Sequence, residues 1–177
     1  MRNTLAGVDS VNNIYDFCKI YFSLMKLLDR ILNVEVEAEI EEVDLLEIKA
    51  IHKTRRFYFD WRQESKNQIL KITIKGDDKV LGLISVSDIP DEYRIHINLL
   101  ESSNENKGNN KEIDRIAGCL IAHTVKLAFE KGYLGFTSLV PKTELIGFYK
   151  KKYGFKQFGR QLAIDRTAGI QLMDKYL

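Results

Sequence analysis

At 177 residues, with 45% hydrophobic and 29% charged side chains, the chain has the composition of one globular domain with a real core and not that of a disordered chain. Its 27 Lys and Arg against 25 Asp and Glu leave a net charge of +2, so no broad basic field argues for nucleic acid, which is disfavoured as a partner. Two cysteines, Cys18 and Cys119, in apolar helical contexts make no disulfide framework. The first ten residues hold no apolar signal-peptide core, and the longest apolar run, Val80 to Val86, is too short to cross a bilayer, so the expectation is a cytoplasmic protein without a membrane partner.

Ile14, Phe17, Cys18, Tyr21, Leu24, Met25, Leu28 and Ile31 recur at helical spacing and predict a helix over Val11 to Leu32. Val34, Val36, Ala38 and Ile40 alternate with glutamates, the pattern of a half-buried strand, and a short helix is expected around Asp44 to Ala50. Phe57, Phe59 and Trp61 alternate with polar residues and predict an extended segment at a core edge. In the stretch Lys53 to Arg62, basic and aromatic residues interleave as in stacking platforms for single-stranded nucleic acid; a strand burying the aromatics needs no ligand and is favoured, its tip available to shape an acceptor pocket.

Ile69–Ile74 and Val80–Ser87 flank Lys75-Gly76-Asp77-Asp78, a hairpin, and Tyr93–Glu101 follows the Pro90 turn as a strand. Asp114 to Lys131 reads as an amphipathic helix stopped by Gly132. Gly135–Leu139 is a short strand. Thr143 is placed to cap a helix running to Lys152, Phe155–Ile164 reads as a strand and Arg166–Tyr176 as a closing helix. Strands alternating with helices indicate an α/β fold, and the hairpins require antiparallel pairs: a mixed, mostly antiparallel twisted sheet with helices on both faces and an N-terminal helix. No repeat or linker divides the chain, so residues 1–177 are expected to form one domain, with 1–33 as a helical appendage and 34–177 as its core.

The polar loop Asn104 to Lys111 runs into the helix that carries Gly118. A helix N-terminus presents unpaired N–H groups and the positive end of its dipole, so the loop is a candidate anion seat with Lys107, Gly108 and Lys111; the alternative is a solvated turn. Lys150, Lys151 and Lys152 fit a solvated helix end, or attraction of nucleotide phosphates. His96 and His123 suit proton exchange near neutrality or a structural hydrogen bond, and His52 lies in a basic stretch. No HExxH, paired cysteine motif or carboxylate cluster supports a metal.

From Ile69 to Phe155 the order of elements, the helix phrase Gly118-Cys-Leu-Ile-Ala-His and the closing Phe148-Tyr149 with Gly154-Phe155 resemble the GNAT family, the acetyl-CoA-dependent N-acetyltransferases. The family's loop signature, Arg/Gln-x-x-Gly-x-Gly/Ala, is degenerate here. With Gly118 as its last position, Ile113 stands at the Arg/Gln and Ile116 at the first Gly; with Arg115 as the basic position, Gly118 becomes the first Gly. The closing motif has one extra residue between Tyr and Gly.

The resemblance implies two central strands that splay around the cofactor's pantetheine arm, with backbone groups near Leu99, Leu100 and Glu101 pairing with it and the Leu99 or Leu100 N–H polarising the thioester carbonyl. It implies a pyrophosphate seat from Lys107, Gly108, Lys111 and the turn Arg115, Ile116, Ala117 and Gly118. Acetyl-CoA is then the donor and a primary amine the acceptor, with no metal, and the resemblance leaves room for a homodimer. Tyr149 is the expected general acid to the CoA thiolate, or else a core aromatic whose hydroxyl meets a backbone group. Glu101 is a base acting through water, or else a solvent-exposed strand end. The alternative function is a GNAT-shaped binding or interaction module that does not catalyse transfer.

Overall fold

Alternating and β-branched segments fold into strands, and segments with helical periodicity pack on them. The computed structural model describes residues 25–177. In chain order the elements are β1 (Lys26–Asp29), β2 (Val34–Glu42), α1 (Leu45–Lys53), β3 (Gln68–Ile74), β4 (Gly82–Ile89), β5 (Arg94–Ser102), β6 (Ile113–Asp114), α2 (Ile116–Glu130), β7 (Thr137–Leu139), α3 (Ile146–Tyr153), β8 (Lys156–Phe158), β9 (Gln161–Ile164) and α4 (Arg166–Tyr176). The nine strands form one sheet in the order β6-β1-β2-β3-β4-β5-β7-β9-β8, antiparallel throughout except for the parallel pair β5–β7.

The two faces of the sheet bury separate cores. On one, Ile72, Ile84, Ile95 and Ile97 meet Leu120, Ile121 and Val125 of α2 and Leu172, Met173 and Tyr176 of α4. On the other, Ile69 and Leu83 meet Ile48 and Ile51 of α1 and the fully buried Trp61. The α/β reading with a mixed, mostly antiparallel sheet and helices on both faces is borne out. Asp44 caps α1 by accepting from Leu46 N and Glu47 N at 2.8 Å, and Asp165 caps α4 by accepting from Ala168 N at 3.0 Å. Gly132, with φ +81°, closes α2 from the left-handed region.

Four local expectations are corrected. The part of the expected N-terminal helix within the described residues is not helical: Lys26–Asp29 is β1, and the rest of that helix lies outside them. Leu27, fully buried, pairs across to Val36, while Asp29 accepts from Ile31 N and Leu32 N and Asn33 takes φ +55°, so this chemistry turns the chain into a hairpin. Leu28 and Asp29 also pair with Asp114 and Ile113 of β6. Second, Trp61 opens a short 3-10 helix, Trp61–Glu64, instead of continuing an extended segment, because Asp60 accepts from Arg62 N. Third, Thr143 lies in a 3-10 turn, Thr143–Leu145, and provides no side-chain cap; the turn itself leads into α3. The Phe155–Ile164 segment is likewise split, into the hairpin β8–β9.

Candidate active site

The opening in the sheet follows from two features of β5. Its parallel neighbour β7 is only three residues long and pairs with it as Ile95–Thr137, His96–Ser138 and Ile97–Leu139, so β7 leaves β5 after Ile97. On the other side the register with β4 jumps from Val86–Ile97 to Ser85–Leu99, making Asn98 the extra residue of a bulge. A bulge reverses the alternation of side chains. Ile97 and Leu100 therefore both face the α2 core, while Leu99 turns to the α1 core.

A cavity of about 510 Å³ occupies the opening on the α2 side. It brings together Leu100, Glu101, Lys107, Gly108, Lys111, Arg115, Ile116, Ala117 and Tyr149, residues from five separate segments of the chain. Two expected members stand apart. Leu99 lines a second cavity of about 340 Å³, across β5, which shares Phe59, Leu100, Lys142, Leu145 and Tyr149 with the first. Gly118 lines neither. A Cβ on it would lie 2.2 Å from Cε1 of Tyr176, so the absence of a side chain at this glycine lets α4 close on α2.

The loop before α2 is built on Asn106, a buried side chain that donates to Ser103 Oγ at 2.9 Å and accepts from Ile113 N at 2.8 Å. Each cation expected in the seat has a carboxylate partner. Lys107 Nζ lies 2.7 Å from Glu101, Lys111 Nζ 2.6 Å from Asp114, and Arg115 donates to Glu35 at 2.8 Å. Asp114 also accepts from Arg115 N at 2.6 Å, at the entrance to α2, and its lysine and backbone contacts hold its pKa below the usual carboxylate value against the opposing effect of burial. Arg115 itself adopts φ +72°, the conformation that favours glycine, so the glycine-demanding position at the loop–helix junction is Arg115 and neither Ile116 nor Gly118.

Sequence reasoning undervalued Lys152. It lines the same cavity, three residues beyond Tyr149 on α3, with its ammonium 5.2 Å from the Phe148 ring centroid. Burial lowers its pKa, and the nearby positive charge of Lys111 lowers it further. Lys111 is paired with Asp114, whereas Lys152 has no carboxylate within ion-pair distance among the described residues and leaves a charge that an anion could meet. The signal was present in the sequence, since positions three apart on a helix share a face.

Glu101 matches neither of its readings. It is only 4% exposed, and its oxygens accept from Tyr58 N (2.7 Å), Phe59 N (3.2 Å), Trp61 Nε1 (2.9 Å) and Lys107 Nζ (2.7 Å). A carboxylate offers about four lone-pair sites, and all are taken. It is not a free base; it ties the aromatic loop before Trp61 to the cofactor-side loop. Tyr149 is partly buried among Phe148, Tyr153 and Phe155, and burial alone raises its pKa; among the described residues its hydroxyl has no backbone partner. Tyr153, which the extra residue before Gly154 made an alternative, is 3% exposed, and burial drives its pKa strongly upward.

The histidines lie elsewhere. His96 Nδ1 is 2.8 Å from Ser138 Oγ, and burial, then Arg94, lowers its pKa. His123 is pushed down to about 4, by burial first and then Lys126. Among the described residues no three His, Cys, Asp or Glu side chains cluster to hold a metal, and no helix is long and apolar enough to cross a membrane.

No protein-family model matches the chain, and no curated protein matches it by sequence. Solved structures do match. The PaiA N-acetyltransferase of Thermoplasma acidophilum, in complex with coenzyme A, aligns with a TM-score of 0.51 at 16% identity over 72% of this chain and 97% of that one. Mutant forms of the spermidine/spermine N-acetyltransferase SpeG from Vibrio cholerae align with a TM-score of 0.56 at 11% identity, over 76% and 96%. An N-acetyltransferase from Staphylococcus aureus Mu50 gives 0.52 at 16%, over 73% and 99%. The resemblance to the GNAT N-acetyltransferases thus holds at the level of fold.

Proposed function

On this fold, we propose that the protein transfers an acetyl group from acetyl-CoA to a primary amine. The observation that carries the reading is the opening beside β5, in which an unpaired strand edge, a helix N-terminus, Lys152 and Tyr149 line one cavity. The free edge beyond Ile97 suits an extended pantetheine arm that adds to the sheet as a further strand. Leu100 lines both cavities and Leu99 only the second, so the Leu100 N–H is the better candidate to polarise the thioester carbonyl. Lys111 and Lys152, with the turn from Arg115 to Ala117, hold the diphosphate, and the Lys111–Asp114 pair rearranges to share its charge.

In the transfer step the lone pair of a neutral amine forms the C–N bond at the thioester carbonyl, the C–S bond breaks, and sulfur leaves with the electron pair. Tyr149 gives its hydroxyl proton to that sulfur, and the proton shed by nitrogen returns to the phenolate through solvent, leaving amide and thiol. A phenol titrates near 10 and a thiol near 8.5, so this donation runs uphill and depends on close positioning. Tyr149 faces both cavities, as that role requires. Glu101 serves as a positioning residue for the loop that carries Tyr58 and Phe59.

A second reading, a binding module of the same shape without transferase activity, is favoured by one observation: Lys107, Lys111 and Arg115 are each already neutralised. Calorimetric titration with acetyl-CoA and CoA separates the two. Micromolar binding that weakens about tenfold or more in Lys152→Glu, while pantetheine binding is spared, supports the transferase. Absence of heat and of thermal shift at millimolar CoA overturns it.

A further inference from the structure

Three openings meet at Phe59. It lines the two cavities that flank β5 and a third, of about 420 Å³, bounded by His52, Lys53, Arg55, Phe57 and Tyr58. The second and third cavities lie beyond the opening from the α2 loop and offer the acceptor its approach. The polar side chains lining the second are Asn98, Lys142 and the shared Tyr149; the other residues lining it are apolar. Among the described residues no Asp or Glu lines either cavity.

The carboxylates closest in the chain are engaged or directed elsewhere. Glu101 has its four donors. Asp60 is held by Arg62 at 2.7 Å, with His52 Nδ1 at 3.6 Å. Glu64 accepts from Ser85 Oγ at 2.6 Å and from Asn67 Nδ2 at 2.9 Å. Glu144, in the 3-10 turn before α3, lines none of the three openings. The cations are in the opposite condition. Among the described residues Lys53, Arg55 and Lys142 have no carboxylate within ion-pair distance, and the Lys142 ammonium stands 6.0 Å from the Phe59 ring centroid.

We infer that the acceptor is an amine whose other end is anionic, its charge met by Lys142 and by the Lys53–Arg55 rim, and not a polyamine. The inference rests on the transferase reading above. A second ammonium on the acceptor finds no counter-charge here and meets like charge, whereas a carboxylate or phosphate finds cations without partners. The same surroundings bear on reactivity. Positive neighbours lower the pKa of an amine, so they increase the fraction present as the neutral nucleophile, which matters in a site where Glu101 has no free lone pair to accept a proton.

The test uses three four-carbon amines of equal reach: γ-aminobutyrate, aminobutanol and putrescine, whose far ends are anionic, neutral and cationic. Each is titrated calorimetrically into the CoA-saturated full chain, so binding is read without turnover. The expected order is γ-aminobutyrate, aminobutanol, putrescine, with about tenfold or more between first and last at low salt, narrowing as salt is raised. Lys142→Glu, titrated at CoA concentrations that saturate the variant, should abolish or reverse the order. Putrescine binding as tightly as γ-aminobutyrate, an order insensitive to Lys142→Glu, or no binding of any of the three overturns the inference. CoA binding measured in the same samples keeps the cases apart: a wrong order with CoA bound sinks the inference alone, and absence of CoA binding sinks the reading beneath it.

Discussion

The two halves of β5 belong to one strand but live in different surroundings. From Ile95 to Ile97 it is paired on both edges, and its side chains alternate regularly between the two faces of the sheet. From Asn98 to Ser102 it keeps β4 on one edge and has left β7 on the other, and its side chains are re-aimed by one bulged residue. The first half ends in a structural polar cluster, where His96 and Arg94 share Ser138. The second half supplies Leu100, Glu101 and Ser102 to the lining of the first cavity and Asn98, Leu99 and Leu100 to that of the second. An opening of this kind comes from a neighbour that stops early and from a register shift; it requires no loss of apolar residues, since Leu99 and Leu100 continue the run.

If the open half is the reactive one, Tyr149→Phe is the sharpest way to break the comparison. It keeps the ring contacts with Tyr153 and Phe155 and removes only the hydroxyl. Turnover should fall by roughly one hundred- to ten thousand-fold with CoA affinity nearly constant. An unchanged rate with an acceptor in hand removes Tyr149 from the acid role.

A second test separates support from chemistry. Glu101→Ala strands Trp61 Nε1, two backbone N–H groups and Lys107 without their acceptor, so unfolding by urea should show a loss of about 3–5 kcal/mol. Loss of activity without loss of stability in that variant would return Glu101 to the reacting groups.

The smallest effect distinguishes Gly118 from the seat beside it. Gly118→Ala should cost about 1–3 kcal/mol through collision with the Tyr176 ring, with CoA affinity of the folded protein unchanged. In a Tyr176→Ala background the same Gly118→Ala change should cost less than in the native chain, a coupling that thermal unfolding of the four variants measures beside CoA titration. A specific loss of CoA affinity would put Gly118 back in the cofactor loop.

Much of the fold was legible because its signals are local. Arg166–Tyr176 matches the expected closing helix in its bounds, Asp44 and Asp165 act through their own next few residues, and Gly132 stops α2 where its conformational freedom is needed. The cavity assembled most of the expected residues for the same reason: the polar loop, the α2 entrance and the α3 face could each be placed from nearby sequence.

What was not legible depends on distant partners. The KLLD segment has helical spacing on its upstream side, and only its pairing with β2 and β6 makes it a strand. The burial of Glu101 is set by a loop some forty residues earlier, about which strand periodicity is silent. A glycine near a helix start looks alike whether it faces a phosphate or, as Gly118 does, a tyrosine from the chain's last helix. Charge counting could not show that the Lys107, Lys111 and Arg115 charges are matched by carboxylates while those of Lys53, Arg55 and Lys142 are not.

The two-residue strand β6 has a consequence for the order in which the molecule assembles. Ile113 and Asp114, next to the α2 entrance, are not zipped to β5, their near neighbour in the chain, but to β1 at the far end of the sheet. Arg30 N donates to Glu112 O at 2.8 Å, and Arg115 reaches Glu35, 80 positions earlier in the chain. Contacts that span so much chain close late, because the intervening loop must first give up its entropy. The hairpin β1–β2 and the helices can form from short-range contacts while the α2 entrance still lacks its clasp. Its final shape is therefore a late event in folding, reached only when the early and middle parts of the chain have met.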